Sequence, residues 1–215
     1  MDEKKIDSVE DLIYILNKYE NNHIFRGHAN AAWELESSIE RMIGNNKIEK
    51  FEKFSYDLFE SKFHLYDKEN ITPDSKFAWL SLMQHYGVPT RLLDFTESPY
   101  IALYFALESY HPLDNVDLSI FVINYKSLKE ASLKYINSKA NPNETLDSIQ
   151  KNQDAFFAKL IDEFDFGVAW VAEPRKFNTR LDRQSGSFLF SSSSKYKIKD
   201  VLNFDIYIKI RLYIN

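Results

Sequence analysis

Three polar islands, each set between apolar runs, hold the side chains of this chain that could do chemistry. The longest follows Leu82-Met83 and reads Gln84-His85-Tyr86-Gly87-Val88-Pro89-Thr90-Arg91-Leu92-Leu93-Asp94-Phe95-Thr96. Around a tight Gly-x-Pro turn it offers imidazole, hydroxyl, guanidinium and carboxylate groups. The others are Phe25-Arg26-Gly27-His28 and Arg180-Leu181-Asp182-Arg183-Gln184-Ser185-Gly186. Such islands are either self-satisfied buried networks or sites.

Arg26 ends an apolar strand, a position from which a guanidinium can make bidentate contact with phosphate or carboxylate. Gly27 removes a side chain where a ligand or a neighbouring backbone could approach closely. The competing reading of Arg26 is a buried ion pair with Asp94 or another acid that ties strand to turn. His85 lies near a helix end, where an imidazole can cap a carbonyl or join an anion site. Thr90, Arg91, Asp94 and Thr96 could face a ligand, although Arg91 and Asp94 could equally pair with each other. Ser98 reads first as a helix cap and second as a hydroxyl for a ligand. Gln184 stands at the lip of a strand, where its amide could grip sugar hydroxyls; Arg180 and Arg183 could simply face water.

Several chemistries are disfavoured. The chain has no cysteine, which excludes disulfides, thiol catalysis and cysteine-ligated metal, and fits a cytoplasmic setting. Its 5 histidines are scattered without HxH or HExxH spacing, so no metal site is expected. No P-loop, GxGxxG turn or GxSxG elbow is present. A net charge of -5 gives no general attraction to nucleic acid. No apolar run is long enough for a membrane span, and the start lacks a secretory signal.

The elements that must position these groups can be read from period and caps. Ser8 followed by Asp11 predicts a helix with Val9, Leu12, Ile13 and Leu16 on one face. Ile24-Phe25 reads as a short buried strand. Residues 47–65 read as a long helix with Ile48, Phe51, Phe54, Leu58 and Phe59 on one side; Glu49 and Glu52 fall among lysines on a solvated face. Another helix runs from Phe77 to Tyr86, stopped by Gly87-Val88-Pro89. Ser98-Pro99 opens a helix to about Ser109 that is apolar on nearly all sides and is expected at the protein's centre. Strands are expected at 118–123, 168–172, 188–190 and 205–212, with helices at 126–135 and 150–161. The last strand alternates Ile206, Ile208, Ile210 and Leu212 with Tyr207, Lys209 and Arg211, so it reads as half-buried. Glu173-Pro174 ends the 168–172 strand.

This order predicts an α+β fold, helices first and then a mostly antiparallel sheet, within a single domain spanning 1–215. At 44% hydrophobic residues, with 17 Phe and 13 Tyr, the chain has ample material for a bulky core.

The islands together resemble the FRG domain family. The resemblance rests on Phe25-Arg26-Gly27, on Trp33 and Leu35 through Arg41, on the Leu82 to Leu107 segment and on Arg180 to Phe188, and spans about residues 22–190. FRG domains have been proposed to be similar to ADP-ribosyltransferases, whose split antiparallel sheet grips NAD. That resemblance implies an NAD-dependent transferase or NAD glycohydrolase. Arg26 would orient NAD, Thr96 or Ser98 would supply the middle hydroxyl, and Gln184 would stand in the region of the catalytic glutamate. A neutral amide there departs from the family pattern, leaving Glu173 or Glu97 to furnish a carboxylate. It further implies a toxin or defence effector in a prokaryote, with a protein or nucleic-acid acceptor. The alternative is a non-catalytic module that binds a nucleotide or phosphate between Arg26, Gly27 and the His85, Thr90, Arg91 and Asp94 turn.

Overall fold

The computed structural model describes residues 2–6, 8–19, 21–43, 47–65, 72–111, 113, 115–140, 144–151, 153–162, 164, 166–172, 186–202 and 207–212. Charged but extended, Asp2–Ile6 forms β1. Helix α1 (Val9–Lys18) follows, with the Ser8 side chain accepting from the Asp11 backbone N–H as the capping pattern predicts. Strand β2 (His23–His28) carries the first island. Three helices come next: α2 (Ser38–Ile43), α3 (Ile48–Phe63) and α4 (Lys76–His85). Helix α4 ends where Gly87 takes φ 79° and the Val88 N–H returns to the Met83 carbonyl at 2.9 Å.

The turn then delivers β3 (Leu93–Thr96) and α5 (Pro99–Glu108), the latter capped by Ser98. Strand β4 (Leu118–Asn124) leads into α6 (Tyr125–Ala140), α7 (Leu146–Lys151) and α8 (Gln153–Asp162). Strands β5 (Ala169–Ala172) and β6 (Gly186–Ser191), the short α9 (Ile198–Val201) and β7 (Tyr207–Leu212) complete the described elements.

The strands form a single 7-stranded sheet in the order β1-β7-β4-β2-β3-β6-β5. Every pairing is antiparallel except β1 with β7. The fold is therefore α+β, with helices leading and a largely antiparallel, partly mixed sheet, as the sequence predicts. Most seams are continuous ladders, but β2 and β3 share one residue pair, Phe25 with Thr96. The sheet forks beyond that pair.

Apolar side chains cover both faces. One cluster joins Phe77, Leu80 and Met83 of α4 to Phe157 of α8, Trp170 and the inward phenylalanines Phe188 and Phe190. Another packs Ala102 and Ala106 of α5 over Phe25, Ile120 and Val122. Three expectations need correction here. Helix α5 lies on one face of the sheet, not at the centre, and shows Tyr100, Tyr104 and Leu107 to the outside; only its small side is buried. Helix α3 turns Phe54 and Leu58 outward and buries Glu52, because the α3 surface is chosen by an ion pair described below. Strand β7 is internal, between β1 and β4, so Lys209 is buried with its ammonium over the Phe121 ring.

Candidate functional site

The fork between β2 and β3 opens into a cavity of about 920 Å³. Its walls come from β2, the loop before α2, the end of α4, β3, α5 and the start of β6. A volume of that size falls in the range of small-molecule sites, roughly 300–1,000 Å³.

Arg26 spans the fork. Its Nη1 donates to the Asp94 carbonyl at 2.6 Å, and its Nε donates to His28 Nε2 at 3.0 Å. The side chain thus replaces a backbone rung that the diverging strands cannot make. Burial lowers the Arg26 pKa to about 10, partly offset by the Asp94 charge and reinforced by the charge of Arg41. His28, two residues on and so on the same face of β2, is buried against Phe121 and Trp33. Burial, then the Arg26 charge, push its imidazole down to about 3. The ring is neutral and accepts at Nε2, which places its proton on Nδ1. That nitrogen lacks a partner of good hydrogen-bond geometry, although the nearby Trp33 backbone favours the charged form slightly.

A second guanidinium shares the cavity. Arg41 of α2 donates from Nη1 to the Glu36 carbonyl at 2.6 Å. Among the described residues, neither Arg26 nor Arg41 has a carboxylate within ion-pairing distance. The acids at the rim are engaged elsewhere: Glu36 pairs with Lys197 at 2.9 Å and Glu34 with Lys199. Beside them Trp33 lies 53% exposed on the cavity wall.

The opposite lip is built by α4 and β3. Gln84 Nε2 donates to Asp94 Oδ1 at 2.8 Å, and Gln84 Oε1 accepts from the Thr90 hydroxyl at 2.5 Å. The exposed His85 lines the cavity and packs edge-on to Tyr86; among the described residues it makes no hydrogen bond and caps no carbonyl. Thr96 lines the cavity as well, and its hydroxyl accepts the Ser98 backbone N–H at 3.1 Å.

Arg26, Gly27, His85, Asp94 and Thr96 therefore converge on one space. Thr90, Arg91 and Ser98 do not line it. Thr90 is buried beneath Gln84, and Ser98 is occupied as the α5 cap. Arg91 points away. Its Nε donates to both Glu52 oxygens, at 2.9 and 3.0 Å, and its Nη1 to the Ser192 carbonyl at 2.6 Å. This buried pair joins α3, the turn and the segment after β6. Neither expected pairing of Asp94 with an arginine side chain forms: Arg91 takes Glu52, and Arg26 takes the Asp94 backbone. Gly27 makes its close approach to α5, since a Cβ there would lie 1.9 Å from the Ala102 carbonyl oxygen. Glu97 is exposed and does not line the cavity. Gln184 and Glu173 lie outside the described residues.

Sequence reasoning missed Arg41, Trp33, His28 and Gln84 as site residues. For His28 the strand period of two from Arg26 was an available signal. Arg41 fell within the stretch that carries the family resemblance, but nothing in the sequence gave it a role, because its position depends on how α2 packs. Among the described residues there is no group of three or more His, Cys, Asp or Glu able to hold a metal ion. Among them, too, no helix is long and apolar enough to cross a membrane.

The family model described as FRG domain matches residues 21–115, just under half of the chain. The match holds β2 to α5, and with them Arg26, Arg41, Gln84, Asp94 and Thr96; it stops well short of the Arg180 to Phe188 island. No curated protein and no solved structure matches the chain.

Proposed function

We propose that the cavity at the β2–β3 fork binds a nucleotide, with Arg26 and Arg41 holding phosphate oxygens and Trp33 offering a face to the base. The observation that carries this reading is the pair of guanidiniums on one wall that form no carboxylate ion pair among the described residues, beside a half-exposed indole. Two like charges in a partly buried space repel each other, and a bound polyanion would relieve that repulsion. A charge-assisted, bidentate contact suits phosphate, and an indole face suits a planar ring.

The finer form of the proposal has NAD as the substrate of an ADP-ribosyltransferase or glycohydrolase. Its support is the neighbourhood of Arg26 on β2 and Thr96 on β3, the order expected for such enzymes. Cleavage of the nicotinamide–ribose bond leaves positive charge on the sugar, and a carboxylate at the cavity wall stabilises it. Asp94 lines the wall already. Gln184 and Glu173 retain the proposed roles of ribose contact and carboxylate donor.

The chain's 3 tryptophans give a direct readout, because Trp79 and Trp170 are buried and Trp33 is exposed. Titration with ADP or NAD is expected to change Trp33 fluorescence, and Arg26→Gln to weaken binding by about tenfold or more. Release of nicotinamide that disappears in Arg26→Gln separates the enzyme from a non-catalytic nucleotide-binding module. No fluorescence change with ADP, NAD or pyrophosphate at millimolar concentration refutes both.

A further inference from the structure

The chain between β2 and α3 is stitched to the start of α9 by acids that meet consecutive positions there. Glu36 pairs with Lys197 at 2.9 Å, Glu40 Oε1 accepts the Ile198 backbone N–H at 2.9 Å, and Glu34 pairs with Lys199. Glu40 also completes a capping box on α2: its Oε2 accepts the Ser37 N–H at 2.5 Å, while Ser37 Oγ accepts the Glu40 N–H at 3.4 Å. This buried acid is an anchor. It fixes the start of α2, and with it the point from which Arg41, the next residue, leaves the helix.

Glu36 has a different place. It lines the cavity with Arg41, whose Nη1 already donates to the Glu36 carbonyl at 2.6 Å. A glutamate side chain reaches further from its backbone than that, so rotation of its own bonds would bring the carboxylate onto the guanidinium. A charge-assisted pair formed there would occupy the donors that a phosphate needs. The Lys197 ammonium prevents it. With side-chain exposures of 25% for Glu36 and 19% for Lys197, the pair is screened less than one on the open surface. Lys197 itself does not line the cavity. Its neighbour Ile198 is tied to the Glu40 anchor through the main chain, so the lysine is held in place whether or not a ligand is bound.

We propose, resting on the nucleotide reading above, that Lys197 is a positioning residue of the anion site. It holds Glu36 off Arg41 and cancels an acid that would otherwise compete with phosphate and repel it. The site is thus kept open to anions by a cation that never touches them.

The test titrates the full chain with ADP, read by Trp33 fluorescence, in the wild type, Lys197→Met and Lys197→Met/Glu36→Gln. Each variant is checked for folding by circular dichroism; the Glu40 anchor is present in all of them. Lys197→Met is expected to weaken ADP binding about fivefold, the upper end of what a solvent-screened ion pair is worth. Adding Glu36→Gln removes the competing charge and returns the affinity to within about twofold of the wild type. A ligand-free crystal structure of Lys197→Met is expected to show the Glu36 carboxylate on the Arg41 guanidinium. The proposal is overturned, and the nucleotide site left standing, by wild-type affinity in Lys197→Met, by a loss that Glu36→Gln does not restore, or by Glu36 clear of Arg41 in that structure. A wild type that does not bind ADP overturns both readings.

Discussion

His28 shows how one side chain can be set by its neighbours. A histidine normally titrates near 6.5, yet burial beside Arg26 pushes this one down to about 3. Between those values the unfolded chain takes up a proton that the native ring refuses. Stability attributable to His28 is therefore full above 6.5 and is lost as pH falls through this window. From pH 7 to pH 5 the expected loss is about 2 kcal/mol, below the steepest slope of about 1.4 kcal/mol per unit because titration is incomplete at the upper end. Urea unfolding at the two pH values checks this against His28→Gln, whose amide oxygen can still accept from Arg26. A wild type and variant with the same pH dependence would show that His28 is not held neutral. The same histidine was legible in part: its spacing from Arg26 put both on one face of a strand, but its neutrality needed Phe121 and Trp33, which arrive from distant segments.

Where elements meet, α5 approaches β2 closely at Gly27. A Cβ on Gly27 would stand 1.9 Å from the Ala102 carbonyl oxygen and 2.8 Å from the Ala106 nitrogen, both backbone atoms. Backbone inside a helix cannot move aside as a flexible side chain can, so α5 would have to lift off the sheet. Gly27→Ala is expected to cost about 3 kcal/mol, the upper part of the usual overpacking range, and to lower the melting temperature measurably. A variant of unchanged stability that lost only ligand binding would mean that the glycine serves the ligand. Elements with caps and long period were readable in advance: Ser8 and Ser98 each cap the helix that follows, whereas the Ser75 cap of α4 was not read from the sequence. Strand β3 was not, because four residues with the pattern Leu-Asp-Phe-Thr take their conformation from β6 more than from their own propensity. Nor was β1, whose residues Asp2 to Lys5 look like a solvated start until β7 pairs with them. The six-residue α2 gave too short a period to detect, and the expected solvated face of α3 failed because Arg91 draws Glu52 inward.

Across the whole molecule, the strand order decides which parts of the chain the cavity depends on. The fork lies between β2 and β3, while β1 forms the far edge, with β7 and β4 between it and β2. The order of strands was the part least available from sequence, since it pairs segments separated by nearly the full chain, such as β1 with β7. The convergence of Arg26, Asp94 and Thr96 follows from that order, as does the exclusion of Arg91. Removing residues 1–6 tests the separation. The deletion exposes the edge of β7, strips the buried Ile6 side chain from its cluster and removes the Lys4 bond to the Tyr19 hydroxyl at 2.9 Å. Burial of an isoleucine alone is worth about 2 kcal/mol, so the truncated protein is expected to melt several degrees lower. Two intervening strands leave the fork in place, because β4 stays laddered to β2 along all six residues from His23 to His28. ADP affinity by Trp33 fluorescence, measured well below the melting transition, should therefore stay within about twofold of the full chain, less than the tenfold that 1.4 kcal/mol would bring. Affinity that falls in step with stability would mean that the sheet transmits strain from its edge to the fork, and that the cavity is not held by β2, β3 and α4 alone.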